Sequence, residues 1–459
     1  MKKTMLFSSI LLAAALAAAE PSVTVTDVSV NSASRLVTVS YTLSGEDAIV
    51  TLGLTVDGVA VDPGLVGAAS GDVNRLVATG ARTIYWSAPS GLADISSGNV
   101  SVDLKVWKAD NPPKYMVIDL TLGTVVRYYE SEDALPFGGL ANDEYRLNSI
   151  VMRRIYTHGK TFQIGPSGGQ VSVTMTNDYY IGIYPVTIGQ WRHVSPTSRF
   201  SFDWIPGCEM FPACTNSVNS LRGGAVNYWP NGGREVSATA FLGKLRTHTG
   251  VEIDLPTEAQ WEIAARAGET GDTYGDIDEI AWYGDNSAVD GEQRLHPVGR
   301  KKPNAWGIYD MLGNCEEWCL NLWSSSTEGG TDPIGGDPGN QSGPKRVLKG
   351  GSYASDPAPT LGSRRGLACS TKQIQIGFRL VAPVSPTWNA QRGDAVGTVA
   401  SAESHAIAGG LDTRKAVSAA SAGYGTAETP FDTWCASLRE SGIITIRGGN
   451  PTGFMVTFH

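Results

Sequence analysis

Residues 309–323 read YDMLGNCEEWCLNLW, which places two cysteines, two glutamates and two tryptophans in one short run. Such a run is open to three readings: a metal loop, a redox pair, or an apolar turn with charges at its rim. Cys315 and Cys319 lie four apart, a spacing that puts both on one face if the run is helical. A zinc or redox pair calls for Cys-x-x-Cys spacing, or for more His and Cys ligands nearby. The sequence has six histidines, and the nearest to the pair is His296. The expectation for the two cysteines is buried thiols, or one disulfide to a distant partner.

The whole chain sets the frame. Its 459 residues are too many for one ordinary core, and about two to four domains are expected. The opening MKKTMLFSSILLAAALAAAE has Lys2 and Lys3, then an apolar stretch, then Ala17-Ala18-Ala19. This is the pattern of a secretory leader over residues 1–19. No later stretch reaches the ~20 apolar residues of a membrane span. The expectation is therefore a secreted, periplasmic or cell-surface protein. Acidic residues outnumber basic ones by 45 to 36, for a net charge of −9. That balance argues against nucleic acid, whose binding rests on clustered Lys and Arg. Six cysteines permit disulfides in an exported protein, and Cys208 and Cys214 in CEMFPAC are spaced to close a small local loop.

Residues 20–110 alternate with period two. In LVTVSYTL, Val37, Val39, Tyr41 and Leu43 alternate with Thr38, Ser40 and Thr42. One buried and one wet face predict a small all-β sandwich, immunoglobulin-like or fibronectin-III-like, suited to a spacer or adhesion role. Asp110-Asn111-Pro112-Pro113 punctuates its end, and residues 111–149 read as a connecting segment with one further strand, YMVIDL. From 150 to 384 the composition changes, and eight of the twelve tryptophans fall between Trp191 and Trp323. Three helices are predicted there. Two open with Thr-x-x-Gln capping boxes, at Thr187/Gln190 and Thr257/Gln260. The second of these ends at Gly268, a left-handed C′ residue. The third helix starts at Ser237, carries Phe241 and Leu245 on one face, and stops at Gly250. The tryptophans supply the core of a domain with little regular structure. Residues 385–430 read as a small-residue linker, and 431–459 as a C-terminal β-hairpin around a Gly-Asn-Pro turn.

Four blocks in this order, DYYIGIYPVTIGQW, LPTEAQWEIAARAG, PNAWGIYDMLGNCEEW and RVLKGGSY…IGFRL, resemble the formylglycine-generating enzyme (sulfatase-modifying factor) family. The resemblance implies an α+β, C-type-lectin-like fold with low regular content over residues 150–384. The same fold serves oxidases, iron-dependent sulfoxide synthases and binding proteins, so the function has to come from the site. In the family, the Gly-Asn-x-x-Glu-Trp loop holds a structural calcium. That implies calcium here at Gly313, Asn314, Cys315 and Glu317, with side-chain and carbonyl oxygens as donors. Glu316 is expected to face solvent. The competing reading has Asn314 capping a turn and Glu317 pairing with an arginine. Arg379 is expected to pair inside.

The family oxidase holds copper through two cysteines soon after Gly-Gly-Ser, soft thiolates that suit Cu(I). In GGSYASDPAPTLGSRRGLACS, Ser355 and Thr360 stand at those positions, and hydroxyls do not replace thiolates there. Cys369 comes too late in the run. The iron branch of the family has a preceding helical domain with a His-rich motif, whereas the preceding domain here reads as all-β. There is no Gly-x-Ser-x-Gly elbow, no His-Glu-x-x-His and no phosphate-cradling loop. The chain also lacks the Cys-x-Pro-x-Arg of a sulfatase-type substrate. The expectation is a binding or accessory module for a peptide, protein or carbohydrate, with Tyr353, Asp356, Arg364 and Arg365 on the ligand face. The rivals are a formylglycine-generating oxidase acting on a sulfatase cysteine or another oxidoreductase in the same cleft, and a surface structural protein.

Overall fold

The alternation in LVTVSYTL carries directly into the computed structural model. This structure describes residues 19–384 except 93–94, 97, 122–124, 197–199, 201–206, 225–234 and 334–344, together with two strands at 444–447 and 455–458. The leader up to residue 18 and the linker expected at 385–430 lie outside the described residues.

Five long strands open the chain: β1 (Ser22–Asn31), β2 (Leu36–Ser44), β3 (Ala48–Val56), β4 (Gly80–Ser87) and β5 (Val100–Lys108). β1, β2 and β4 pair antiparallel in one sheet, and β3 pairs antiparallel with β5 in a second. Val37, Val39 and Tyr41 of β2 meet Val50 and Leu54 of β3 and Ile84 and Trp86 of β4 in one shared core. The polar Thr38, Ser40 and Thr42 alternate with the buried positions, as a two-residue period requires.

The stretch expected to connect this module to the next is instead part of the next one. β6 (Tyr115–Asp119) and β7 (Val125–Tyr129) form a hairpin, and β6 pairs antiparallel with β8 (Ser149–Ile155). All five residues of β6 are buried, because its alternate side chains pack into separate clusters, Met116 and Ile118 in one and Tyr115 and Val117 in the other. Adding β9 (Tyr179–Gly182) and, late in the chain, a short strand at Val381–Pro383 completes a five-stranded antiparallel sheet. The two modules also share a core. Ile49 of β3 belongs to the cluster of Met116, Ile118, Leu120 and Tyr128, and Leu76 and Trp107 pack against it. Polar contacts reinforce the joint: Thr51 Oγ1 donates to Glu130 (2.6 Å), Lys105 pairs with Glu130 (2.7 Å), and Tyr128 N donates to Asn74 O (2.6 Å).

Three helices lie near their predicted positions. α1 (Ile188–Val194) and α3 (Glu258–Arg266) carry the expected capping boxes at Thr187/Gln190 and Thr257/Gln260. α2 (Phe241–Thr249) begins later than the sequence suggested. Ser237 Oγ contacts the Thr239 hydroxyl, and Ala240 N–H bonds the Ser237 carbonyl, so residues 237–240 form a turn ahead of the helix. α2 ends at left-handed Gly250 as expected. At the end of α3 the left-handed residue is Ala267 (φ 48°), one before Gly268, whose φ is also positive. Trp261 and Trp318 are fully buried and Trp191 nearly so, as core packing demands.

The quoted run turns out to be a strand. β10 (Glu316–Leu322) pairs antiparallel with β11 (Lys345–Lys349), which pairs with β12 (Arg364–Ala368); β10 also runs parallel to β13 (Ile376–Gly377), and the short strand at Val381–Pro383 is labelled β14. Every residue of β10 is buried. Cys315 and Cys319 therefore do not share a helix face; they sit in separate apolar clusters. Strands β15 (Ile444–Arg447) and β16 (Met455–Phe458) pair antiparallel near the C-terminus.

Buried charge holds the centre together. Arg379, with no exposed surface, takes Glu317 in a bidentate pair (2.6 and 2.7 Å) and donates to the carbonyls of Gly182 (2.9 Å) and Tyr309 (3.0 Å). Trp261 Nε1 donates to the same carboxylate at 2.7 Å. Nearby, Lys349 and Glu262 form a second fully buried pair at 2.8 Å. Burial opposes the charge on Glu262, yet Lys349 and Arg266 hold its carboxyl below the ordinary range. Asp310, also buried, is pushed by burial up to about 6, although it accepts the Gly299 N–H.

Two outcomes follow from these networks. Arg379→Met strands the Glu317 carboxylate in the core, and loss of one partner of a buried pair costs about 3–5 kcal/mol in urea unfolding; Arg379→Met combined with Glu317→Leu should regain part of that. For Asp310 the raised folded pKa means that its stabilising contribution is complete below about pH 4 and is lost as pH rises through about 6. Asp310→Asn keeps an acceptor for Gly299. It should flatten the stability profile between pH 4 and 7 and be about 2 kcal/mol more stable than the parent at pH 7. A profile unchanged by the substitution would contradict this assignment.

Candidate functional site

The site is built on a backbone contact between Gly313-Asn314 and Trp282. Asn314 N donates to Trp282 O at 2.7 Å, and residues 282 and 313 form an isolated parallel bridge. Gly313 has φ 73°, and a Cβ there would stand 2.1 Å from Trp282 O, so only glycine permits the approach. Asn314, itself left-handed at φ 58°, locks the next segment: its Oδ1 accepts His296 N and its Nδ2 donates to His296 O, both at 3.0 Å.

This fixes one side of the expected cleft. The His296 ring stacks on Trp282 (centroids 3.8 Å, 10° between planes), and the Lys301 ammonium lies 4.0 Å from the indole centre. His296 Nε2 meets Ser287 O at 2.9 Å, so Nε2 carries the proton when the ring is neutral, and Nδ1 is left as an acceptor. Burial holds the His296 pKa below its ordinary value. Lys301 is likewise lowered by burial, and it donates to the Asp278 carbonyl. Trp282 Nε1–H is buried with no hydrogen-bond partner. A buried donor without an acceptor is costly.

The other side is the GGSYASDPAPT run. Tyr353 N donates to Asn314 O (2.9 Å), Ser287 Oγ donates to Tyr353 O (2.6 Å), and Gly284 N donates to Ser355 O (2.9 Å). The run doubles back tightly at Gly351 (φ 69°), where a Cβ would lie 2.5 Å from Pro359 Cβ. Of the expected ligand-face residues, Asp356 is exposed and borders Gly284, while Tyr353 is largely buried, its ring packed with Ile188, Phe211, Cys214 and Cys315. The hydroxyls at the positions of the family's thiols are engaged locally. Ser355 Oγ accepts Ser352 N–H (2.9 Å), and Thr360 Oγ1 meets Ser363 Oγ (3.0 Å).

Two expected ligand contacts are taken up by the fold. Arg364 is buried in a bidentate pair with Glu258, and its guanidinium lies 4.5 Å from the Trp323 ring centre. Arg365 pairs with Glu316 through both carboxylate oxygens, and Glu316 is accordingly buried rather than solvent-facing. The side-chain oxygens expected to hold calcium are also engaged. Asn314 bonds the His296 backbone, and both Glu317 oxygens bond Arg379, one of them also Trp261. The two side-chain donors of the expected calcium set, Asn314 and Glu317, thus already have protein partners, and a cation there would compete with Arg379 for the carboxylate. No group of three or more His, Cys, Asp or Glu among the described residues is arranged to hold a metal ion.

Two of the thiols meet in the cluster that holds Tyr353. A single point, the place of a Cβ on Gly377, lies 2.8 Å from Cys315 Sγ and 3.5 Å from Cys214 Sγ. Cys315 donates a hydrogen bond to Cys214, and that bond together with full burial pushes its thiol well above the ordinary range. Burial raises Cys319 and Cys369 as well. Sequence reasoning missed the Trp282–His296 stack and the approach of Cys214 to Cys315. Both arise from long-range contacts with no local spacing to announce them. The one available signal was Gly313-Asn314, a pair suited to left-handed backbone and so to a close docking.

With this geometry in place, the comparisons with known proteins are specific. Residues 152–384 match the family described as the sulfatase-modifying factor enzyme 1-like domain. The formylglycine-generating enzyme of Streptomyces coelicolor is 39% identical over 112 residues, which are 22% of this chain and 35% of that protein. The chaperone protein LppX of Paenibacillus barcinonensis is 26% identical over 235 residues, covering 44% of this chain and 78% of that one. The inactive C-alpha-formylglycine-generating enzyme 2 of Mus musculus is 30% identical over 142 residues, 27% of this chain and 41% of that one. The chain thus spans little more than a third of the formylglycine-generating enzymes it matches first, at 35% and 38% of their lengths. The match begins inside β8 and runs through the cleft walls and both buried ion pairs to the last strand of the central sheet, and on that ground the chain belongs to the sulfatase-modifying factor family.

Proposed function

We propose that this protein is an exported binding or accessory member of its family rather than an oxidase, with a peptide, protein or carbohydrate held in the cleft between Trp282–His296 and the 352–360 run. The observation that carries this reading is the pair of hydroxyls, Ser355 and Thr360, where the family's oxidases have two thiols. Each hydroxyl is spent on a neighbouring serine or backbone group. Hydroxyls have high pKa values and bind soft metals poorly. The converging thiols, Cys214 and Cys315, are buried, and a thiol raised well above its ordinary pKa supplies little thiolate. What the cleft offers is recognition: an imidazole acceptor stacked on an indole, an ammonium and the exposed Asp356. That a mouse relative bears the name of an inactive formylglycine-generating enzyme is in keeping with loss of catalysis within the family. In this proposal the N-terminal sheets form an immunoglobulin-like sandwich that presents the cleft outside the cell. No helix among the described residues is long and apolar enough to cross a membrane.

The decisive assay incubates the full chain with Cu(I), oxygen and a sulfatase-derived cysteine peptide. No aldehyde above the protein-free control is expected, and turnover would restore the oxidase reading. For the cleft, Asp356→Ala should weaken capture on peptide or glycan arrays about tenfold, which is about 1.4 kcal/mol, with an unchanged melting temperature. Equal capture by parent and variant would place the ligand elsewhere. For calcium, a ligand held only by the folded state raises its melting temperature, so exchanging calcium for a chelator should move the transition by less than about 1 °C.

A further inference from the structure

Cys214 and Cys315 come from segments far apart in sequence, yet their sulfurs converge on one point beside Gly377. Gly377 leaves room for the meeting, since a Cβ there would press on Cys315 Sγ at 2.8 Å and touch Cys214 Sγ at 3.5 Å. Both residues belong to the cluster that also holds Tyr353 and Ile188. Their surroundings are apolar and nearly closed: Cys214 and Cys315 are each 1% exposed. Cys319 lies in a different cluster, with Trp261 and Met311, and Cys369 in a third, with Leu221 and Ile376.

We propose that Cys214 and Cys315 form a disulfide when the chain folds under oxidising conditions. The chemistry is thiol–disulfide exchange with a small-molecule or protein disulfide, RSSR. One cysteine, reacting as thiolate before the core closes, attacks RSSR and releases one RSH. The second cysteine then attacks the mixed disulfide and releases the other. Two thiols and one RSSR give one protein disulfide and two RSH, so the two thiol protons end on the departing thiols and the two electrons reduce RSSR. The bond closes a loop of about 100 residues, long enough for a large entropic effect on the unfolded chain. That loop contains α2, α3 and the whole Trp282–His296 wall, and its two ends meet beneath Tyr353. The crosslink is a staple at the root of the cleft, and it is independent of whether the cleft binds or oxidises its ligand.

The sequence offered a different partner, the local Cys208–Cys214 loop, and the test separates the two. The reduced, unfolded full chain is refolded in a buffer of oxidised and reduced glutathione. Remaining thiols are alkylated after denaturation, and the protein is digested without reduction for mass spectrometry. The expected result is a peptide joining Cys214 to Cys315, about 2 Da lighter than the sum of its two parts, and a melting temperature that falls on reduction, by an amount on the order of 5–10 °C. Cys315→Ser and, separately, Cys214→Ser should each abolish the crosslinked peptide and the sensitivity to reductant, whereas Cys319→Ser should preserve both. Alkylation of both Cys214 and Cys315 in refolded parent protein would overturn the proposal, as would recovery of Cys214 joined to Cys208. Because the parent chain alone decides between these outcomes, a variant that fails to fold leaves the answer intact.

Discussion

One guanidinium organises the family domain. Arg379 sits without exposed surface where β10, the 309–310 turn and the end of β9 converge, and it bonds Glu317 and main-chain carbonyls from two of those segments. A buried charge is tolerable only when every donor is matched, and this planar group presents five N–H donors in a fixed fork. The geometry of the partners is therefore dictated. Glu317 must lie in plane with Arg379, which fixes the register of β10, and the same carboxylate accepts Trp261 of α3. The Gly313-Asn314 turn immediately precedes that strand, so the docking of Trp282 and the placement of His296 descend from the same pair.

The cleft that results is chemically one-sided. Its strongest acids and bases are consumed by structure: Glu258 by Arg364, Glu316 by Arg365, Glu262 by Lys349. What remains near the surface are groups that hydrogen-bond and stack. The described cysteines lie in apolar clusters. Recognition requires only shape and a few oriented polar atoms.

Much of this was legible in the sequence because it was local. Capping boxes involve residues three apart, so Thr187/Gln190 and Thr257/Gln260 could be read directly. Alternation is a property of neighbours, so β2 announced its buried face. The failures were all cases in which a distant partner decided. The apolar hairpin of β6 and β7 looked like a connector because its pairing with β8 lies across an intervening irregular stretch. Glu316 looked solvated because Arg365, nearly fifty residues on, was not visible as its partner. Arg364 and Arg365 looked available for a ligand because a pair of arginines in a loop carries no mark of the carboxylates that meet them. The cysteine spacing of four suggested a helix face, but full burial on both sides of β10 favoured a strand. Resemblance to the family supplied the order of the blocks, and only the fold supplied the partners.

The joint between the two modules carries a consequence of its own. Ile49 and Trp107 reach from the first pair of sheets into the main core of the family domain, and Thr51, Lys105 and Glu130 close the seam around them. Such a seam acts as a weld rather than a hinge. The opening module is joined to the family domain by packed side chains as well as by backbone, so a tug on either end is transmitted through those side chains.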